Sequence, residues 1–383
     1  MAQCRLILAI TAFRAQGRLG QLSATSGLYV EAQRRSRLVQ HAGRLGSGFL
    51  EGTVKFPHRR QVLHLAGGVA ALPTVTAGGL ALAQSVPATR AKGPLVWLDM
   101  DQKDLDDSYT QSVYAPNMQT ILERCTRNGE LVRERIGAPK RFAYGPTAIE
   151  GIDVFPAKTP NAPTHVHVHG GAWRAQLARD SHYPAEMFVN AGANFVVPDF
   201  NNVIEVGGDL MPMANQVRRA VVWAYKNVRS YGGDPDRFYI SGHSSGGHWV
   251  GVLLTTDWQK DFGLSPTFIK GAVAGSGVFD LKPVRLSVRS AYIKFTDESE
   301  QALSPQRHLE KLVAPIRVVY GTRETPEFQR QSRDFHAAVK AAGKSVMLSV
   351  MEGYNHFEVM EQLGNPYSLF GSAILGQMNL RPT

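Results

Sequence analysis

Residues 237–246 read RFYISGHSSG, and this stretch decides the fold. Its apolar start predicts a buried strand, and residues 245–256 carry the pattern of a helix. Between them lies a Gly-x-Ser-x-Gly motif centred on Ser244. A strand before the motif and a helix after it predict a sharp turn that lifts the Ser244 hydroxyl above the sheet. The helix N-terminus at this point favours developing negative charge, so Ser244 is the candidate nucleophile.

Strand-like and helix-like segments alternate on both sides of this motif. Such alternation over about two hundred residues is typical of an α/β fold, with a mostly parallel central sheet covered by helices on both faces. In that architecture the chemistry gathers at the carboxyl ends of the strands. The predicted strands besides 237–241 are residues 141–144, 149–155, 164–168, 194–198, 269–275, 316–320 and 346–351. The predicted helices besides 245–256 are residues 213–230 and 327–342.

A second glycine-rich segment, residues 169–173, reads HGGAW and directly follows a predicted strand. Glycines in such a loop let backbone N–H groups approach a reacting carbonyl closely. We assign Gly170, Gly171 and Ala172 to an oxyanion hole, without choosing which N–H points inward. The N–H of Ser245, the residue after the nucleophile, is the predicted opposite donor.

Histidines also surround this loop. His165, His167 and His169 alternate along one strand and therefore share a face, which could suggest a metal site. No carboxylate cluster accompanies them, so we interpret them as structural residues and expect neither a metal nor an organic cofactor. Trp173 and His243 are assigned to the substrate pocket, although Trp173 could instead pack under the loop.

The general base should follow the last strand, because a serine hydroxyl needs a neighbouring imidazole to take its proton. His356 lies there, in the segment GYNHF at residues 353–357. The acid should follow the preceding strand, since the chain order in this motif set is Ser, then Asp or Glu, then His. Glu324 is the preferred candidate, and Glu327, which starts the next helix, is the alternative.

The charge of the chain lies mostly at its beginning. The 383 residues have a formal net charge of +10, and residues 1–83 hold 10 basic and 2 acidic side chains. The remainder holds 32 and 30, so the body is almost neutral and a nucleic-acid partner is not expected. Cys4 and Cys125 are the two cysteines, which excludes a disulfide framework and a cysteine-based metal site.

Residues 54–83 resemble a twin-arginine export signal. They contain PHRRQVLH, followed by an uncharged stretch that ends in Ala-Leu-Ala, which predicts cleavage after Ala83. We therefore expect a periplasmic or secreted protein without stable membrane insertion after cleavage; an uncleaved anchor is the alternative. Residues 1–53 precede the signal and are interpreted as a spurious or disordered leader, with Val54 as the translation start.

Two regions follow the predicted export signal. Residues 84–140 are predicted to form a helical extension, with helices at 99–113 and 118–136 that pack onto the main domain and cover its pocket. Residues 141–383 are predicted to form the catalytic domain.

These motifs together resemble the kynurenine formamidase (arylformamidase) group of α/β-hydrolases, from about residue 98 to the C-terminus. The resemblance rests on HGGAW at 169–173, GHSSG at 242–246, SGVFDL at 276–281, LSP at 303–305, ETPEF at 324–328, RQS at 330–332 and NHFE at 355–358. It implies the α/β-hydrolase fold and a triad of Ser244, His356 and Glu324, although the group usually has Asp at the acid position. It also implies hydrolysis of an activated N-formyl amide or of a small aryl or alkyl ester.

The leading hypothesis is thus a serine hydrolase of small esters or formamides that works through an acyl-enzyme. A true arylformamidase acting on N-formylkynurenine is the second. A non-catalytic binding module on the same scaffold is the third, and it normally requires a lost triad member, whereas all three are present here. The expected partner is a small ester or amide, and the oligomeric state is left open.

Overall fold

Short runs rich in valine and alanine, with phenylalanine and buried histidines, form central strands whose side chains are buried on both faces of the sheet. The structure is a computed structural model that describes residues 90–382. Within this part of the chain, eight strands form one sheet. They are β1 (Lys140–Ala143), β2 (Gly151–Phe155), β3 (Ala162–Val168), β4 (Asn194–Pro198), β5 (Gly233–His243), β6 (Gly271–Gly275), β7 (Ile316–Gly321) and β8 (Val346–Met351).

The strand order across the sheet is β1-β2-β4-β3-β5-β6-β7-β8. The pairs β1–β2 and β2–β4 are antiparallel, and every later pair is parallel. The predicted mostly parallel sheet is therefore confirmed. Because β3 to β8 run in the same direction, their carboxyl ends meet at one edge of the sheet, and the loops that follow them lie close together.

Helices cover this sheet on both faces. The described α-helices are α1 (Gln102–Ser108), α2 (Met118–Ile136), α3 (Ala185–Asn190), α4 (Leu210–Lys226), α5 (Ser245–Leu254), α6 (Trp258–Phe262), α7 (Lys282–Leu286), α8 (Asp297–Ala302), α9 (Pro326–Ala341), α10 (His356–Glu361) and α11 (Leu369–Gln377). Short 3-10 turns lie between them, at Gln111–Val113, Ala178–Ser181, Val228–Tyr231, Val288–Ala291, Pro305–Arg307, Leu309–Lys311 and Gln362–Gly364.

The core consists of two hydrophobic clusters separated by the sheet. Successive side chains of a strand point to opposite faces. Accordingly, Val318 of β7 belongs to the cluster that includes residues of α4, α5 and α9. Its neighbour Val319 belongs to the cluster that includes residues of α2, α3, α10 and α11.

The segment before the sheet differs in part from its prediction. Instead of one helix over 99–113, it contains a small hairpin of Leu95–Trp97 with Met100–Asp101, then α1, then a 3-10 turn. Asp101 delays the helix because its side chain accepts the N–H of Asp104 at 3.0 Å and caps α1 at its start. The second helix, α2, has the predicted bounds.

Two predicted boundaries near the nucleophile also shift. The helix predicted over 213–230 ends at Lys226 and continues as a 3-10 turn to Tyr231, and Gly232 then reverses the chain with a φ of 84°. The strand β5 begins at Gly233 rather than at residue 237, since Gly233 pairs with Ala162 of β3; an irregularity follows, and regular pairing resumes at Phe238.

The interpreted leader, export signal and cleavage point fall at residues 1–83, outside the described residues. Among residues 90–382, no helix has the length and apolar character needed to span a membrane.

Candidate active site

Ser244 lies at the turn between β5 and α5. Its backbone has φ 60° and ψ −126°, which a residue with a side chain rarely adopts. The turn is held by the N–H of Ser244, which donates to the carbonyl oxygen of Gly275 at 2.9 Å. A Cβ atom at Gly246 would lie 2.1 Å from the carbonyl oxygen of Val168, so only glycine fits there. The sequence motif therefore forms the predicted strand–turn–helix, and Ser244 lines a cavity.

His356 follows β8 and is the first residue of α10. Asn355 caps this helix, with its side-chain oxygen accepting the N–H groups of Phe357 and Glu358 at 3.1 Å each. The Nδ1 atom of His356 lies 2.8 Å from Oε2 of Glu324. A carboxylate at that distance places the ring proton on Nδ1 and leaves Nε2 free to accept another.

Glu324 is buried below the imidazole, three residues after the end of β7. Its second oxygen, Oε1, accepts the hydroxyl of Ser276 at 2.6 Å and the N–H of Gly321 at 2.7 Å. Burial raises the pKa of Glu324, and the hydrogen bond from Ser276 most strongly opposes that rise. Both carboxylate oxygens thus have partners, and the acid cannot rotate away from His356 without losing them.

Burial lowers the pKa of His356, and the nearby positive charge of Arg289 lowers it further. The imidazole is therefore neutral at pH 7, as a general base must be. His356 and Ser244 line the same cavity. Within the described residues no hydrogen bond joins the Ser244 hydroxyl to the ring, and such contacts often tighten only when substrate binds.

The alternative acid, Glu327, has different partners. It is buried, and both of its oxygens accept hydrogen bonds from the guanidinium of Arg330, at 2.7 and 2.8 Å. They also accept the phenolic O–H of Tyr109 at 3.1 Å and the indole N–H of Trp97 at 3.2 Å. Glu327 therefore attaches the N-terminal segment to α9, whereas Glu324 is the carboxylate that contacts His356.

The glycine-rich loop after β3 lies directly against the nucleophile turn. A Cβ atom at Gly170 would be 2.7 Å from the carbonyl oxygen of His243 and 3.2 Å from Cβ of Ser244. Three residues in succession have positive φ angles: 100° at Gly171, 54° at Ala172 and 62° at Trp173. The loop is thus bent tightly around the site.

The backbone N–H groups predicted as oxyanion donors belong to this loop and to the start of α5. The N–H groups of Gly170, Gly171, Ala172 and Ser245 donate to no backbone acceptor within residues 90–382. Gly170, Gly171 and Ala172 line the same cavity as Ser244. The first N–H of a helix has no intrahelical partner, so the N–H of Ser245 is available in the same way.

The two residues assigned to the pocket differ in position. His243 lines the cavity, and its ring centre lies 4.5 Å from that of His356. Trp173 does not line it, which corrects the pocket assignment and leaves the alternative of packing under the loop. Its indole N–H donates to Nδ1 of His248 at 3.1 Å, and its backbone N–H donates to the hydroxyl of Ser245 at 3.2 Å.

The three alternating histidines are buried; His165 and His167 belong to β3, and His169 directly follows it. Ring nitrogens of His165 and His167 lie 2.6 and 2.9 Å from the hydroxyl of Ser241. The ring of His169 stacks on Phe200, with ring centres 4.3 Å apart. Among the described residues no group of histidine, cysteine and acidic side chains could hold a metal ion. In the structure these rings contact the Ser241 hydroxyl and the Phe200 ring.

The cavity has a volume of about 480 Å³. Part of its wall comes from the N-terminal extension, as the sequence predicted. Other parts come from the segment after α7. The lining residues from these two parts are Tyr109, Thr110, Gln111, Ser112, Met118, Leu122, Val288, Arg289, Ala291 and Tyr292.

Three residues of the site were not assigned from the sequence: Ser276, Arg289 and Tyr109. Ser276 belongs to the motif SGVFDL and directly follows β6, so its position at a strand end was a usable signal. Arg289 and Tyr109 lie in segments without a motif, and only the fold brings them to the cavity.

Known proteins support the same assignment of the fold and its chemistry. The family model described as BD-FAE matches residues 152–339. Kynurenine formamidase from Danio rerio is 29% identical over 283 residues, which cover 70% of this chain and 93% of that protein. Esterase LipQ from Mycobacterium tuberculosis is 27% identical and aligns over 59% of this chain and 60% of its own length. A solved structure from silicibacter sp. tm1040 superposes with a TM-score of 0.63 at 24% identity, covering 70% of this chain and 98% of the other.

The fold and the site thus define an α/β-hydrolase. Within that class, the chain is similar to the kynurenine formamidases and to esterases. It is a serine hydrolase of carboxylic esters or amides.

Proposed function

We propose that Ser244, His356 and Glu324 are the catalytic triad for small esters or formamides. One observation carries this proposal. The strained turn presents Ser244 to the same cavity as His356, and the 2.8 Å contact between Nδ1 and Glu324 orients that imidazole. No metal or organic cofactor takes part in the proposed reaction.

The reaction has two halves. The Ser244 oxygen attacks the substrate carbonyl while Nε2 of His356 takes the hydroxyl proton. The resulting oxyanion accepts hydrogen bonds from the backbone N–H groups of Ser245 and of the loop around Gly171. His356 then protonates the leaving alcohol or amine, which departs and leaves an acyl-enzyme. A water molecule, deprotonated by the same imidazole, attacks the acyl carbon. The bond to the Ser244 oxygen then breaks, the imidazolium returns its proton to that oxygen, and the carboxylic acid is released. Glu324 stabilises the imidazolium that forms in both halves.

The test uses the full chain as wild type and as Ser244→Ala. Both proteins are assayed on p-nitrophenyl acetate and on N-formylkynurenine. We expect Ser244→Ala to lower kcat by at least about 10⁴-fold, because the nucleophile is removed. A matched control is Ser245→Ala, which keeps the backbone N–H donor and should retain most activity. Equal turnover by wild type and Ser244→Ala would refute the assigned nucleophile.

A second candidate is arylformamidase activity in the strict sense. The alignment with a protein named kynurenine formamidase over 93% of its length favours it. A kcat/KM for N-formylkynurenine far above that for p-nitrophenyl acetate would support it. A preference for the acetate ester would favour a general esterase.

We also propose that the protein is exported through a twin-arginine signal at residues 54–83. The supporting features are the paired arginines, the uncharged stretch and the Ala-Leu-Ala end. N-terminal sequencing of the protein released into the periplasm should begin at Gln84. Replacement of Arg59 and Arg60 by lysine should retain the precursor inside the cell. Unchanged release of that variant would contradict the proposal.

A further inference from the structure

Arg289 is a buried cation in the wall of the active-site cavity. Its exposed fraction is 3%, and it lies in the 3-10 turn Val288–Ala291. Its Nε and Nη2 atoms donate to one neutral acceptor, the carbonyl oxygen of Tyr109, at 3.3 and 3.2 Å. The rings of Tyr109, Trp173 and Phe328 surround the guanidinium, with centres 5.4 to 5.8 Å away.

The donors of this guanidinium are only partly used. The edge formed by Nε and Nη2 is occupied by the Tyr109 carbonyl, which leaves the edge formed by Nη1 and Nη2. Nη1 is buried and has no hydrogen-bond partner in the described part of the chain. Two parallel N–H groups on that edge match the two oxygens of a carboxylate.

The cavity offers no internal counter-charge. Its lining residues include Arg289 and Arg174 but neither Asp nor Glu, and Arg289 forms no ion pair among residues 90–382. By contrast, Arg330, two residues after Phe328, is paired with Glu327 and Asp334. A buried charge without a partner is costly, and arginines of this kind are commonly completed by a bound anion.

Arg174 adds a second positive charge at the same cavity. Its guanidinium stacks over the ring of Tyr292 at 4.5 Å, and the side chain is exposed to solvent. It can attract an anion into the cavity, whereas Arg289 is placed to hold one within it.

We propose that Arg289 binds a carboxylate group of the substrate, so that the enzyme hydrolyses anionic esters or amides in preference to neutral ones. This inference rests on the proposed function, because the same cavity contains Ser244 and His356. Of the three rings around the guanidinium, that of Tyr109 also lines the cavity, and it favours a substrate whose carboxylate is attached to a flat apolar body.

The test compares pairs of substrates that differ in charge and share a shape. For a carboxylate on the leaving group, the pair is 3-acetoxybenzoate and 3-acetoxybenzamide. For a carboxylate on the acyl group, it is mono-4-nitrophenyl glutarate and 4-nitrophenyl valerate. The wild-type full chain should have a kcat/KM for the anionic member of at least one pair about tenfold or more above its neutral partner.

The informative variant is Arg289→Met, which retains length and apolar contacts but removes the charge. The preference for the anionic substrate should fall by about 10- to 100-fold, mainly through KM, while turnover of the neutral esters persists. Arg289→Lys keeps the charge but lacks the two parallel N–H groups of the guanidinium, so it should retain part of the preference. It is the variant to measure if Arg289→Met does not fold. An unchanged ratio in a folded Arg289 variant would overturn the proposal.

A matched control is Arg218→Met. Arg218 is a partly buried arginine that bonds only to neutral oxygens, those of Thr256 and Asn215, but it does not line the cavity. Its replacement should leave the substrate ratio unchanged. A fall in the ratio equal to that of Arg289→Met would show that loss of any buried arginine has this effect, and would count against a specific site.

A binding measurement separates this inference from the proposed reaction. Calorimetry with the Ser244→Ala chain should detect binding of benzoate and much weaker binding of benzamide. Adding Arg289→Met to that variant should abolish the difference. If the wild type hydrolyses no ester while benzoate still binds through Arg289, the proposed function fails and the anion site stands. If benzoate does not bind better than benzamide, the anion site is wrong.

Discussion

Glu324 is one methylene longer than aspartate, and its carboxylate has hydrogen-bond partners on both sides. One oxygen contacts His356, and the other accepts hydrogen bonds from Ser276 and Gly321. The extra methylene therefore places the carboxylate between the imidazole and the ends of two neighbouring strands, β6 and β7.

Replacing Glu324 tests whether this carboxylate orients the base. Glu324→Gln should lower kcat by about 10²- to 10⁴-fold, because the amide cannot stabilise the imidazolium. Glu324→Asp keeps the charge but shortens the reach and should lose less. Steady-state kinetics on a neutral ester measures both variants, with Glu327→Gln as the control. A larger loss of kcat in folded Glu327→Gln than in Glu324→Gln would transfer the role to Glu327.

The pH dependence of kcat/KM follows from the environment of His356. Burial, and then the charge of Arg289, lower its pKa below the usual 6.5. Activity requires the neutral ring, and a lowered pKa keeps the ring neutral as pH falls. On the acidic side, kcat/KM should therefore reach half of its maximum below pH 6.5. This midpoint reports the titration of the coupled His356–Glu324 pair.

Arg289→Met should move this midpoint to higher pH, since one cause of the lowered pKa of His356 is removed. The profile is measured with a neutral ester so that substrate charge does not contribute. Arg218→Met provides the reference profile. A midpoint that stays in place or moves to lower pH in Arg289→Met would contradict this electrostatic coupling.

At the scale of single residues, local signals pointed to Ser244 and His356, which line one cavity in the structure. Each lies in a short motif directly after a predicted strand, and such positions meet at one edge of a parallel sheet. Arg289 had no such signal. Its importance comes from having no counter-charge after folding, and that depends on which segments surround it.

Among the elements, α2 and α10 are joined end to end through Asn117. Its side-chain amide donates to Glu358 at 2.8 Å, and its oxygen accepts from the amide of Asn355 at 2.8 Å. Asn355 and Glu358 form the cap of α10, whose first residue is His356. The position of the general base thus depends on a residue 239 positions earlier in the chain.

Asn117→Ala should loosen this junction. Two hydrogen bonds are lost and the Asn355 amide is left without its acceptor, so we expect a destabilisation of about 1–3 kcal/mol and a fall in kcat with little change in KM. Denaturant unfolding and kinetics measure the two effects. Asn128→Ala, on a later turn of the same helix, is the control. A kcat equal to the wild type would show that α10 holds His356 without this support.

The elements were predicted most closely where hydrophobic periodicity was continuous. The bounds of β4, β8 and α2 agree with the sequence pattern, whereas the segment before α2 was predicted as a single helix and contains a hairpin. There, the Asp101 carboxylate caps a helix and also accepts a hydrogen bond from the guanidinium of Arg90 at 2.7 Å. This contact between residues eleven positions apart competes with the local helix propensity. The hydrophobic periodicity alone does not reveal such a contact.

For the molecule as a whole, the segment before the sheet is part of the hydrophobic core. Leu105 of α1 is fully buried, and Tyr109 reaches Glu327 on α9. The fold class followed from the alternation of strands and helices. The attachment of this segment did not, because it depends on side chains more than 200 positions apart in the chain.

Leu105→Ala should therefore destabilise the whole protein, by about 2–5 kcal/mol, because a buried side chain is replaced by a cavity. Chemical denaturation of the full chain provides the measurement. Leu95→Ala is the control, since Leu95 is 59% exposed and its loss should have little effect. If the two variants unfolded at the same denaturant concentration, the segment would be a separate appendage.

The cavity wall and the reacting groups come from different parts of the chain. Ser244, Glu324 and His356 follow strands of the sheet, while much of the wall lies between Tyr109 and Leu122. Apart from Tyr109 and Asn117, whose contacts reach Glu327 and the cap of α10, residues of that earlier segment can change without altering the reacting groups. Over evolutionary time, hydrolases that keep the same catalytic motifs can thus come to act on different substrates. Residues 109–122 are where such divergence should be sought.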